Sequence, residues 1–432
     1  MGTFNILSLD GGGSWALLQV RALQSLYGAD ARGHDVLRQF RLVTATSGGA
    51  IVAAGLWRNF RLSELAQVFL NESIRRSLFA PLPFYSRTRL WRLVGIGPKY
   101  RAAAKLTGIK EVLGSGAPGS TDLVDLQDAR MSGLQRDFRR SDGLPTDLVV
   151  IAYDYDRART IFLRSNALSS AGSQQRETTG QAKDTTLAMA LHASSHAPVN
   201  YFAATAEIVL GSGEKVHAWD GAVAGYNNPM LAGITEALAN GVDRRDIRVL
   251  SLGTGKVALP PQQPGVTGHP WLFARPVRGS LIRDVERLAT SILSNPPDFA
   301  SYVSYIFLAE RPAHNDPPES PARSEGPIVR MSPLIQPLTG VPGTAHFVPP
   351  RVDAATEFGE RDFGRLVAMG LDAVSSGDVE LIDKLARGWL SDCVHNQPIL
   401  ASSSTLVCEL GHRWFSQARK RAGELGLAPA VP

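Results

Sequence analysis

Two short stretches of this chain put chemistry-bearing residues where an apolar run ends in a sharp turn. The first is Phe4-Asn5-Ile6-Leu7-Ser8-Leu9-Asp10-Gly11-Gly12-Gly13, and the second is Leu42-Val43-Thr44-Ala45-Thr46-Ser47-Gly48-Gly49-Ala50. Three successive glycines leave backbone N–H groups uncovered, a surface suited to an anion such as the oxyanion that develops when an ester is attacked. Ser47 lies between a strand-like and a helix-like run with glycine two positions on, most of the nucleophile-elbow pattern, although Ala45 leads it instead of glycine. Other readings remain open for each turn taken singly. Gly11–Gly13 could cradle a phosphate, but Ala16 stands where the dinucleotide pattern G-x-G-x-x-G needs its last glycine, and no Walker lysine follows. Ser47 could simply cap the apolar helix that begins at Ala50. Both turns at one edge of one sheet would set amides beside a serine hydroxyl, the layout of acyl transfer through a serine, with Gly48 and Gly49 in support.

A serine nucleophile needs a base. Lys215-Val216-His217-Ala218-Trp219-Asp220-Gly221-Ala222 reads as a strand ending in Asp-Gly, and open α/β sheets gather their sites at such strand ends. A lone Asp-Gly also reads as an ordinary turn. A triad would need histidine, for which His192, His196 and His217 are available. His217, three residues before Asp220, falls on the opposite face of that strand, so direct pairing of Ser47 with Asp220 is favoured. A carboxylate whose pKa is raised by burial can then act as base toward the serine and, once protonated, as acid toward the leaving group.

The elements that must position these residues form a layered pattern. Strand-like runs at 4–9, 42–46, 147–153, 160–164, 206–210, 215–219 and 247–252 alternate mostly with helix-like segments, which predicts an α/β domain with a central, mostly parallel sheet flanked by helices. At 432 residues and 44% hydrophobic content the chain can bury a large core. The expected organisation is a catalytic core over 1–256, with a basic, aromatic, lid-like segment at about 57–143, then a mostly helical extension over 257–432 that completes the core or regulates it. Residues 167–184 read as an exposed loop, and a helix is expected from about Gly279 to Arg311. Cys393 and Cys408 are the only cysteines, too few for a disulfide framework or a zinc site. No signal-peptide pattern or apolar run of membrane-spanning length is seen, so a cytoplasmic protein is expected, and an exported effector would read the same way.

Charge is unevenly spread. Arg58 to Lys110 holds eleven basic residues against Glu64 and Glu72, in a chain whose net charge is +5, and Trp57, Phe60, Phe79, Tyr85 and Trp91 are interleaved with them. Basic residues among aromatics suit the surface of an anionic membrane, with Arg87, Arg89, Trp91 and Arg92 as the expected contacts. A solvated basic face over packed aromatics is the bland alternative, and nucleic acid, a third reading, is not expected as a partner.

In this order and spacing the motifs resemble the patatin-like phospholipase family, over residues 4 to about 256. Its pattern has an Asp-Gly-Gly-Gly oxyanion loop, a Gly-x-Ser-x-Gly nucleophile and a later Asp-Gly-Gly or Asp-Gly-Ala. Ala193-Ser194-Ser195-His196-Ala197-Pro198, Asn227-Asn228-Pro229 and Leu250-Ser251-Leu252-Gly253-Thr254-Gly255 extend the match. The resemblance implies a three-layer patatin-like fold with helical additions. It also implies a lipid acyl hydrolase of phospholipase A or lysophospholipase type, with Ser47 as nucleophile, Asp220 as dyad base, Gly11, Gly12 and Gly13 as oxyanion hole, and no metal or organic cofactor. It implies a phospholipid membrane as the working surface and leaves room for a protein or small-molecule activator. Three positions depart from the pattern. Ser14-Trp15-Ala16 replaces an arginine and a glycine, so Arg21 is the expected source of the missing charge; Ala45 opens the elbow; and His196 stands where the family has a small residue. A decayed hydrolase scaffold that binds membranes or regulates is the alternative function.

Overall fold

A computed structural model describes residues 2–82, 99–114, 123–134, 138, 140, 142–165, 184–198, 201–202, 204–275, 279, 281–309, 325–340, 346–397, 399–402 and 407–430. The expected membrane contacts Arg87, Arg89, Trp91 and Arg92, and all but the last residue of the 167–184 loop, lie outside these residues. An eight-stranded sheet organises the rest. Its strands are β1 (Phe4–Leu9), β2 (Leu42–Thr46), β3 (Asp147–Asp154), β4 (Arg159–Arg164), β5 (Ala206–Val209), β6 (Lys215–Asp220) and β7 (Ile247–Leu252), joined, after the short β8 (Lys256–Val257), by β9 (Ile328–Met331). The order is β5-β6-β3-β2-β1-β7-β9, with β4 on β3. The pairs β3-β2-β1-β7-β9 are parallel and β4, β5 and β6 join antiparallel, so the protein has a mixed, mostly parallel α/β sheet.

The central strands are buried on both faces, as parallel strands under helices must be. Along β1, Leu7 and Leu9 enter one apolar core while Phe4 and Ile6 enter a second across the sheet. The first core is roofed by the helices Leu17–Tyr27, Gly48–Trp57, Leu187–Ser194 and Ser376–Leu390, and the second by Met230–Ala239 and the C-terminal end of Leu281–Leu308. Gly48–Trp57 is apolar almost all round and buried apart from the half-buried Ile51, as expected of a helix enclosed by its neighbours.

Beyond residue 257 the chain supplies more than helices. β9 lengthens the sheet beside β7, and Leu334–Ile335, β10, pairs with β8. Sequence periodicity marks the helices here but not these strands, which are only two to four residues long and follow a proline-rich stretch. Among the described residues no helix is long and apolar enough to cross a membrane.

Candidate active site

One accident of register brings the serine and the aspartate together. Thr46, the last residue of β2, pairs with Ile151 of β3, and Asp220, the last of β6, pairs with the next residue, Ala152. β4 occupies the other edge of β3 over Val149–Asp154, so β2 and the antiparallel β6 share one edge and meet end to end. Ser47 and Asp220 are therefore both thrown out at that junction, although 173 positions apart. Gly221 makes the meeting tight: a Cβ there would lie 2.5 Å from the Ile151 carbonyl oxygen.

Ser47 has φ 53° and ψ −122°, a strained conformation for an L residue with a side chain and the mark of an elbow that presents its hydroxyl. The strain is held by specific bonds. Ser47 N–H donates to Ser194 Oγ at 2.9 Å, and Ser194 Oγ–H donates in turn to the Ile151 carbonyl at 2.6 Å. Thr46 Oγ1 donates to the Tyr226 carbonyl at 2.7 Å. Behind the serine, Gly49 packs so closely under β1 that a Cβ would run into the carbonyls of Leu9 and Asp10. Gly49→Ala should therefore cost about 1–3 kcal/mol, as overpacking of a closed site does. Denaturant unfolding checks this; an unchanged midpoint would mean that the elbow can relax.

The glycine loop lies against this elbow. Gly13 takes φ +56°, and a Cβ on Gly48 would meet the Gly13 backbone. The N–H of Gly11 donates to the Asn227 carbonyl at 2.8 Å, which corrects the expectation that all three loop amides are free for an anion. Among the described residues none accepts a hydrogen bond from the N–H of Gly12, Gly13 or Gly48, so the elbow presents an open amide at Gly48, one of the two glycines expected in support.

Asp220 is 3% exposed. Burial pushes its carboxyl up to about 6, against the opposing pull of the Ala222 N–H, the Ser47 hydroxyl and the Lys105 ammonium. Its own N–H donates to the His196 carbonyl, and Oδ1 accepts from Ala222 N–H, both at 2.9 Å. Ser47, Asp220, Gly13 and Gly48 open on one cleft of about 610 Å³, its open mouth included, walled by Ile51, Val68, Phe69, Leu78, Phe79, Phe202 and Leu371. Those walls are apolar, as an acyl chain requires. Among the described residues no group of three His, Cys, Asp or Glu side chains stands where a metal could be held.

A model of the patatin-like phospholipases matches residues 7–234. The chain belongs to that family. No curated protein sequence matches it. Among solved structures it is similar to VipD from Legionella pneumophila, at 10% identity and a TM-score of 0.35, over 89% of this chain and 67% of that one.

Within the patatin-like core the departures from the family pattern acquire physical explanations. Arg21 does not serve the loop: it lies on the face of its helix that meets Ser376–Leu390, where Nε donates to Asp383 at 2.7 Å. The cation beside the loop is Arg330 of β9, bound to Asp10 through both its Nη atoms at 2.9 and 2.5 Å with both side chains buried. Trp15 and Ser14, in place of arginine and glycine, hold the C-terminal part of the chain, through Trp15 Nε1 to the Gly370 carbonyl at 3.0 Å and Ser14 N–H to the Leu371 carbonyl at 3.1 Å. Ala45 is buried on β2. His196 is a packing residue, its ring stacked on Phe202 and Trp219 and its Nε2 against the Ala204 carbonyl. His217 faces the other way, exposed and bonded to Asp156 at 2.9 Å.

Proposed function

We propose that this protein is a serine-dependent lipid acyl hydrolase of phospholipase A or lysophospholipase type. The observation that carries the reading is the strained Ser47 elbow opening beside a buried carboxyl in an apolar cleft. Ser47 Oγ attacks the ester carbonyl carbon while its proton passes to Asp220. The oxyanion is met by the N–H groups of Gly12, Gly13 and Gly48. As the tetrahedral intermediate collapses, protonated Asp220 gives its proton to the departing alcohol oxygen. Water, activated by the same carboxylate, then frees the fatty acid from Ser47. The substrate is presented at a phospholipid surface, and Arg87, Arg89, Trp91 and Arg92 are the proposed contact, since Trp57, Arg58, Phe69, Arg75 and Lys105 of the same basic, aromatic stretch are buried.

The base works only when ionised, which fixes the direction of pH dependence. With the Asp220 carboxyl raised to about 6, kcat/KM should hold above that value and fall tenfold per pH unit as pH drops through it. Fatty acid released from phosphatidylcholine vesicles, measured against pH, checks both activity and limb. Absence of release from any glycerophospholipid, even after a cell extract is added to supply an activator, would favour the non-enzymatic scaffold instead.

A further inference from the structure

The helix Ala102–Leu113 carries a lysine where packing alone asks for an apolar side chain. Lys105 is 2% exposed and lines the same cleft as Ser47 and Asp220. Its Nζ donates to the His192 carbonyl at 3.3 Å and lies 4.8 Å from the centre of the Phe202 ring. Among the described residues it makes no contact ion pair, and the carboxylate whose field acts on it is that of Asp220. One long hydrogen bond and one ring face are poor compensation for taking an ammonium out of water, so a lysine buried this way asks for a reason beyond packing.

We propose that Lys105 is a positioning residue of the hydrolytic site: its ammonium, buried in the cleft that Ser47 and Asp220 share, favours the ionised Asp220 carboxylate that takes the Ser47 proton. The proposal rests on the hydrolase reading above. The other charged and titratable groups around Lys105 leave this role to it. Helix Glu72–Leu78 presents Arg75, cationic throughout and bonded to the carbonyls of Phe69 and Val374, while its Glu72 and Arg76 pair with each other at the surface. Helix Leu187–Ser194 presents His192, which burial and the Lys105 charge push down to about 3, and the following segment presents His196, pushed lower still by the same two causes. Both rings are neutral wherever the enzyme would work. Tyr201 is pushed up to about 12 by burial. On its own helix, Lys110 pairs with Asp128 away from the cleft. Among the described groups around the cleft, only Asp220 and Lys105, itself pushed down to about 7 by burial, titrate near neutrality.

The test is the pH profile of kcat/KM for fatty acid release from phosphatidylcholine–detergent micelles by wild type, Lys105→Met and Lys105→Arg. Removing the opposite charge, the weakest of the pulls that oppose burial at Asp220, should move the acid limb of Lys105→Met to higher pH by about one unit, with most of the lost rate regained on the alkaline side. Lys105→Arg should bring the limb back toward wild type. The position of a limb does not depend on how much of a variant is folded, so partial unfolding cannot imitate the shift. An active wild type with an unmoved limb in Lys105→Met overturns this proposal alone. An inactive wild type removes the hydrolase reading and this proposal with it.

Discussion

Ser47→Ala is expected to lower ester hydrolysis by at least about a thousand-fold, because the neighbouring hydroxyls of Thr46 and Ser194 are tied to the Tyr226 and Ile151 carbonyls and neither is raised on an elbow to take up the acyl group. Asp220→Asn should fall as far, since an amide of the same shape cannot receive the serine proton. Stability should move little. Alanine keeps the Ser47 N–H bond to Ser194 Oγ and loses only the hydroxyl's hydrogen bond to the Asp220 carboxyl, so unfolding should become easier by about 1 kcal/mol. His217→Ala, with its ring exposed on Asp156, should leave the rate intact. Fatty acid release and denaturant unfolding on the four proteins separate these effects. A His217→Ala loss as deep as that of Asp220→Asn would replace the dyad with a triad.

The largest expected effect on stability lies one layer behind the chemistry. Asp10 leads directly into Gly11–Gly13, and its carboxylate is held by Arg330, which also donates to Ser251 Oγ at 2.8 Å. Both charges are buried, so Arg330→Met leaves Asp10 with an uncompensated charge, and breaking such a pair costs about 3–5 kcal/mol. Against a typical total of about 5–15 kcal/mol that is a large share of the fold. Asp10→Asn combined with Arg330→Met should recover part of the loss, because the stranded charge has gone too. Urea unfolding of the single and double variants gives the coupling directly; additive losses would show that the two side chains do not act as a pair.

Much of the fold was legible in the sequence because the central strands are apolar runs closed by glycine turns, and β1, β2 and β7 fall on the expected residues. β9 was not, being four residues with an arginine in the middle after a proline-rich stretch. Its Arg330 could not be linked to Asp10 without the parallel β7–β9 pairing, and Arg21, nearer in sequence, took its place in the expectation. The candidates Ser47 and Asp220 could be named from residue type and order, but their meeting depends on two strands sharing one edge of β3, a matter of register that no local pattern reveals. Lys105 was hidden differently. Among eleven basic residues it read as surface, and only the packing of its helix against Glu72–Leu78 and Leu187–Ser194 turns it into the cleft.

The most direct test of the central claim is covalent capture. A fluorophosphonate reacts with a serine only where a base and an oxyanion site activate it, so after exposure to the probe, digestion and mass spectrometry, the adduct should sit on Ser47. Its formation should be lost in Asp220→Asn while that protein remains folded. An adduct on another serine, or labelling of Ser47 undiminished in Asp220→Asn, would contradict the account.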